Sequence, residues 1–211
     1  MKNRLLALAI FLFLPGITEK VSAQNVDLTV LYGYTFNDRF DVYEGYGEVS
    51  DGGLFTGILS FGLNPNYDIE LYYSRQNAKF DFNYYYNLLN KRISNEPASV
   101  NYIQIGGCRN QALDPVGKAT AFAGLNLGAA GIVPEADKYD DIWKFALGFK
   151  AGIKYFFSEK VGLRLQTQLQ MPILYTSGSI WIGTGGTSVG MSGGSTITQF
   201  GFSGGLIYRL K

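Results

Sequence analysis

The chain contains no histidine and a single cysteine, and its charges nearly cancel: 18 Lys and Arg against 17 Asp and Glu give +1 over 211 residues. The missing histidine removes the commonest general base and the commonest metal ligand. One cysteine, Cys108, excludes an internal disulfide framework. The near-zero net charge takes away the electrostatic basis for nucleic-acid binding, so no nucleic acid is expected as a partner. Only 17% of residues are charged and 15% are aromatic, which argues against a disordered chain. Beyond the N-terminus no stretch approaches the ~20 apolar residues of a membrane-spanning helix.

The N-terminus reads as an address. Lys2 and Arg4 precede the apolar run from Leu5 to Leu14, Pro15 and Gly16 end it, and Val21-Ser22-Ala23 matches a small-residue cleavage site. At about 1.5 Å per residue the run covers roughly half of a hydrocarbon core, too little for an anchor. A signal peptide is therefore predicted over 1–23, with one domain over 24–211 whose charge is 15 − 16 = −1. Gln24 follows the cut, so a lipid-anchored cysteine is not expected there.

The remainder is filled by segments that alternate in polarity, the period of β-strands. Four are clear: Tyr67–Ser74, Trp143–Tyr155, Val161–Ile173 and Thr198–Leu210. In the third, Val161, Leu163, Leu165, Leu169 and Met171 share one face, while Arg164, Gln166, Gln168 and Gln170 share the other. Weaker alternation marks Val26–Phe36, Gly53–Leu63, Ser99–Cys108 and Ala119–Ile132. Three-residue turns are predicted at Asn64-Pro65-Asn66 and Ser158-Glu159-Lys160, setting Leu63 against Tyr67 and Phe157 against Val161. Arg109–Lys118 is a longer connection on the same rim, and Asn37–Gly52, Asn77–Ala98 and Tyr175–Ser195 are long loops on the other. Short turns on one side and long loops on the other suit an all-β, eight-stranded antiparallel up-and-down transmembrane β-barrel.

Orientation of the faces decides between a soluble barrel and a membrane barrel. The polar faces carry small residues (Gly148, Gly152, Gly162, Gly201, Gly205) that suit a narrow interior, whereas bulky Leu, Ile, Phe, Trp and Tyr suit lipid. Tyr32, Tyr34, Tyr67, Tyr73, Trp143, Tyr155 and Tyr208 lie toward strand ends, where aromatic girdles sit. Turning the polar faces to lipid would expose Lys and Arg at about 2–4 kcal/mol each near the midplane. The expected location is the outer membrane of a Gram-negative bacterium, with outer-membrane lipid, lipopolysaccharide and the barrel-assembly machinery as partners.

The segments Leu71-Tyr72-Tyr73-Ser74-Arg75-Gln76, Lys154-Tyr155-Phe156-Phe157-Ser158 and Val161-Gly162-Leu163-Arg164-Leu165-Gln166 resemble the small eight-stranded outer-membrane β-barrel proteins of Bacteroidota. So do Val100–Gly107 and the ending Phe202–Leu210. That group, often described as porin-family and akin to the OmpX and OmpW types, implies fold and location but no particular activity. Lys211 departs from the commoner aromatic last residue.

Interior charges are the most specific candidate site. Asp27, Asp68 and Glu70 as acids, with Lys144, Lys150, Lys154, Arg164 and Arg209 as bases, fall on the inward faces. Closure makes the first and last strands neighbours, so Asp27 and Arg209 should approach. Two readings follow: a structural polar plug of ion pairs, which the narrow interior favours, or a gated path for ions or small solutes. Asp68 and Glu70 could form an acid/base dyad, but no nucleophile accompanies them. Barrel hydrolases and acyltransferases generally rely on a histidine, so no enzyme and no cofactor or metal is expected. Cys108 reads as an inward packing residue. The glycines from Gly183 to Gly194 lack the Lys-Ser/Thr of a phosphate loop and read as a mobile surface loop. Phe40, Tyr43, Tyr46, Phe80, Phe82, Tyr84, Tyr85 and Tyr86 either contact a ligand or extend the strands above the membrane.

Overall fold

A computed structural model describes residues 25–42, 45–84, 93–134, 141–173, 177–183, 186–192 and 198–210. The expected signal peptide, Tyr43, Tyr85 and Tyr86 lie outside these residues. In chain order the strands are β1 (Val26–Thr35), β2 (Asp38–Val42), β3 (Gly45–Val49), β4 (Gly52–Asn64), β5 (Tyr67–Tyr84) and β6 (Ile93–Ala112). They continue as β7 (Ala119–Pro134), β8 (Ile142–Phe156), β9 (Val161–Pro172), β10 (Ser177–Gly183), β11 (Gly186–Ser192) and β12 (Gln199–Arg209).

Eight of these close a barrel in the cyclic order β1-β4-β5-β6-β7-β8-β9-β12, each antiparallel to its neighbours, with β12 returning to β1. Closure leaves the barrel wall with no free edge, which a chain crossing lipid by strands requires. β2 and β3 are continuations of β1 and β4. Thr35 opposite Gly52 and Asp38 opposite Val49 keep one register through the break. On its other side β3 pairs with the upper part of β5, where Ser50 N donates to Lys79 O at 2.9 Å.

The alternation predicted from sequence sets the faces. On β9, Gly162, Arg164, Gln166, Gln168, Gln170 and Pro172 are buried in the lumen, while Leu163 and Leu165 face outward. The outer wall carries Leu28, Val30, Ile69, Leu71, Ile103, Ile105, Leu125, Leu127, Phe149 and Leu206, all exposed. Tyr67, Tyr155, Phe157 and Tyr208 ring the short-turn rim; Tyr32, Tyr34, Tyr73 and Trp143 lie at the other end. Trp143 and Tyr155 are twelve residues apart on β8 (155 − 143). At ~3.3 Å per residue and ~40° tilt that spans about 30 Å, the height of an apolar membrane band with its girdles. Inside, glycines leave space for larger groups: a Cβ at Gly152 would lie 2.8 Å from the Phe122 ring, and one at Gly148 would lie 2.7 Å from Gln170 Oε1.

Several expectations change. Tyr175–Ser195 is not simply a loop, because Ser177–Gly183 and Gly186–Ser192 pair as a separate ribbon, with Ile180 opposite Val189 and Trp181 opposite Ser188. Its glycines Gly178, Gly183, Gly186 and Gly190 pair within the ladder, interspersed with β-competent residues such as Ile180, Trp181, Ile182 and Val189 that favour it. The loops 37–52 and 77–98 are largely strand as well, which puts Phe40 on β2, Tyr46 on β3, and Phe80, Phe82 and Tyr84 on β5. Of these aromatics, Phe80 packs against a buried cluster that includes Leu31, Ile58, Tyr72 and Val100. At the first turn a bulge sets Asn64, not Leu63, opposite Tyr67, leaving only Pro65-Asn66 as the turn. The connection after β6 shrinks to residues 113–118. There Asp114 Oδ1 accepts from Ala119 N at 3.0 Å, and Gly117 takes φ 72°, a left-handed conformation that glycine tolerates.

Candidate functional site: an ion-paired lumen

Glu70 projects from β5 into the centre of the barrel, where the even-numbered positions of that strand point inward. Its carboxylate accepts from Arg164 of β9 at 2.9 and 3.2 Å and from Lys150 of β8 at 2.5 Å. Lys154 lies 3.8 Å away and donates chiefly to Asp68 at 2.7 Å. Ser60 adds a hydroxyl donor to Glu70 at 3.1 Å. Glu70 and the Arg164 and Lys150 heads are sealed from solvent. At this depth charges are tolerated only when paired and hydrogen-bonded.

The five residues Asp68, Glu70, Lys150, Lys154 and Arg164 carry three positive and two negative charges. Aromatic faces and amides balance the surplus cation. Arg164 sits 4.2 Å and Lys154 5.3 Å from the Phe122 ring centroid, and Lys150 lies 5.3 Å from that of Tyr72. Asn126 Oδ1 also accepts from Lys150 at 2.8 Å. Such cation–π contacts contribute about 0.5–2 kcal/mol each, most when desolvated.

A second, outer pair guards the rim with the short turns. Asp27 of β1 and Arg209 of β12 stand opposite each other in the closure register, and Arg209 Nε donates to Asp27 at 3.0 Å. The guanidinium also lies 4.2 Å from the Phe156 ring centroid. This pair is partly open to water, with the Arg209 side chain 31% exposed.

Three bridges cross the full width of the lumen. In the cyclic strand order β5 is diametrically opposite β9, and β6 is opposite β12. Glu70 reaches Arg164 along the first diameter, and one layer up Tyr72 donates to Gln168 Oε1 at 3.0 Å. Along the second, Tyr102 donates to Gln199 Oε1 at 2.8 Å. Arg164, Gln166 and Gln168 are joined along β9 by bonds of 3.0 and 2.9 Å. An eight-stranded barrel has room for little beyond its side chains, and here those side chains meet in the middle.

Seven of the eight charged residues singled out from sequence therefore come together in ion pairs: five in the inner cluster and two in the rim pair. Lys144 does not join them. It is half-buried near the far end of β8 and makes no ion pair among the described residues, because it lies six positions along the strand from Lys150. Tyr72, Tyr102, Phe122 and the glutamines of β9 were not singled out. Their signal was present, since each occupies an inward-parity position where a large polar or aromatic side chain must be accommodated. Cys108 is buried and free, facing the same interior.

No protein-family model matches the chain, and no curated protein sequence does. Solved structures match over most of its length. The outer membrane protein OprG from Pseudomonas aeruginosa superposes with a TM-score of 0.60 at 10% identity, over 88% of this chain and 95% of that one. Neisserial surface protein A gives 0.52 at 12% identity, over 86% and 96% respectively. At such identities the likeness concerns architecture alone. The chain has the fold of a small transmembrane β-barrel of the outer-membrane type.

Proposed function

We propose that the mature chain is an integral barrel of a Gram-negative outer membrane, its lumen closed by the ion-paired plug, which acts as a scaffold for extracellular surface interactions. Bacteroidota are the proposed source, on the sequence resemblance alone. The observation that carries the closed lumen is the set of three diametric bridges, Glu70–Arg164, Tyr72–Gln168 and Tyr102–Gln199. An ion entering this barrel would have to break contacts whose loss costs several kcal/mol. With transport and catalysis both disfavoured, the latter by the missing histidine, the extended β1–β4 and β5–β6 hairpins and the β10–β11 ribbon are the parts left to meet partners. Lipopolysaccharide and the assembly machinery are the proposed envelope partners.

One observation favours the alternative of a narrow channel. Amide atoms of Gln76, Gln104, Gln170 and Gln199 and hydroxyls of Ser74 and Ser203 are buried without a protein hydrogen bond, an environment that internal water serves. Planar-bilayer recording of purified protein separates the two. The plug predicts a silent membrane at ordinary voltages; reproducible unitary steps would establish the channel instead.

A further inference from the structure

Two hollows on the outer wall of the barrel join into one furrow. The first, of about 870 Å³, lies across β5, β6 and β7 between Tyr67, Ile69, Ile105 and Leu127. The second, of about 490 Å³, runs on across β8, β9 and β12 between Phe149, Leu169 and Phe200. They share Ala123, Gly124 and Leu125. The pairing register explains the shape. Arg109, Ala123, Ala151 and Thr167 are successive cross-strand neighbours, so the short side chains of Ala123, Ala151 and Thr167 form the floor and Arg109 ends it. Leu125, Phe149 and Leu169 make the next row on one side, and Ile153 and Leu165 on the other.

One end of the furrow is charged. Arg109 lines the larger hollow, is exposed, and makes no ion pair among the described residues. Its other register neighbour is Tyr67, a member of the aromatic ring at the short-turn rim. That rim is the periplasmic one in outer-membrane barrels, so the guanidinium sits at headgroup depth, next to an apolar trough leading toward the membrane centre.

From this geometry we infer that the furrow binds one glycerophospholipid of the periplasmic leaflet, an acyl chain lying over Ala123 and Ala151 and the phosphodiester on Arg109. This rests on the outer-membrane reading above. Each hollow taken alone has a volume in the range of built small-molecule sites. Lys150 and Asp68 also border the hollows but are ion-paired in the lumen, so the exposed Arg109 is the cation offered to a phosphodiester, which an arginine fork grips well.

Native mass spectrometry of the full mature protein, extracted in mild detergent and titrated with phosphatidylglycerol, tests the site. Wild type is expected to retain one phospholipid. Ala123→Phe fills the floor and should abolish retention, Arg109→Gln should weaken it about tenfold, and Val30→Phe, on the far wall, should leave it unchanged. Each variant is first checked for the heat-dependent gel shift of a closed barrel. A shifted, membrane-inserted Ala123→Phe that retains lipid like wild type overturns the site, as does a shifted wild type that carries none. A mature chain soluble without detergent overturns the membrane reading itself.

Discussion

Replacing Glu70 with alanine should be the most damaging single change in the lumen. Among the described residues the carboxylate is the sole acid reaching both Lys150 (2.5 Å) and Arg164 (2.9 Å), and it lies at the centre of the cluster. Its removal takes the five-residue group from three cations against two anions to three against one, with Asp68 engaged by Lys154. Removing one partner of a buried pair costs about 3–5 kcal/mol. Whole-domain stabilities are about 5–15 kcal/mol, so this is a large share. At about 2–4 °C per kcal/mol for a chain of this size, the midpoint should fall by roughly 6–20 °C. The assay is the heat-dependent gel shift in a fixed detergent, read as the temperature at which half the protein migrates as unfolded. Adding Lys150→Met to Glu70→Ala should recover part of the loss, since one orphaned cation is then gone. A Glu70→Ala protein melting within about 2 °C of wild type would refute the claim that the cluster holds the barrel together.

Other outcomes follow from the same geometry. Arg209→Ala should lower the midpoint by less than Glu70→Ala, because a pair with one side chain 31% exposed contributes only about 1 kcal/mol or less; an equal or larger drop would mean the rim pair matters more than the sealed cluster. Leu165→Arg places a charge on the lipid face and should destabilise refolding into vesicles by about 2–4 kcal/mol, measured by urea titration of tryptophan fluorescence; no change would contradict the outward orientation. Cys108 should resist maleimide labelling in the folded barrel and react fully after heat unfolding, with rapid labelling of the folded form contradicting its place in the lumen.

Much of this arrangement was legible in the chain. Strict alternation from Val161 to Pro172 assigned each β9 side chain to lipid or lumen, since the two-residue period of an extended strand leaves no third choice. The even number of strands likewise brought Asp27 beside Arg209, because closure in an up-and-down barrel must join first to last. The extracellular side was less legible. Residues 38–49 and 177–192 carry glycines and polar groups that read as loop, yet they pair because the hairpins below them hold a register that simply continues, or because the ribbon supplies its own.

Period and parity, then, belong to the chain itself: eight crossing segments, their inner and outer sides, and a charged interior inside an apolar wall all follow from local alternation. Which acid meets which base was settled only by tertiary structure. Glu70 finds Lys150 eighty residues away and Arg164 ninety-four away, while Lys144 on the same face of β8 makes no ion pair among the described residues. Strand pattern determines which side a residue faces, but its height in the lumen depends on strand tilt and stagger around the closed barrel, and pairing across the axis requires equal height.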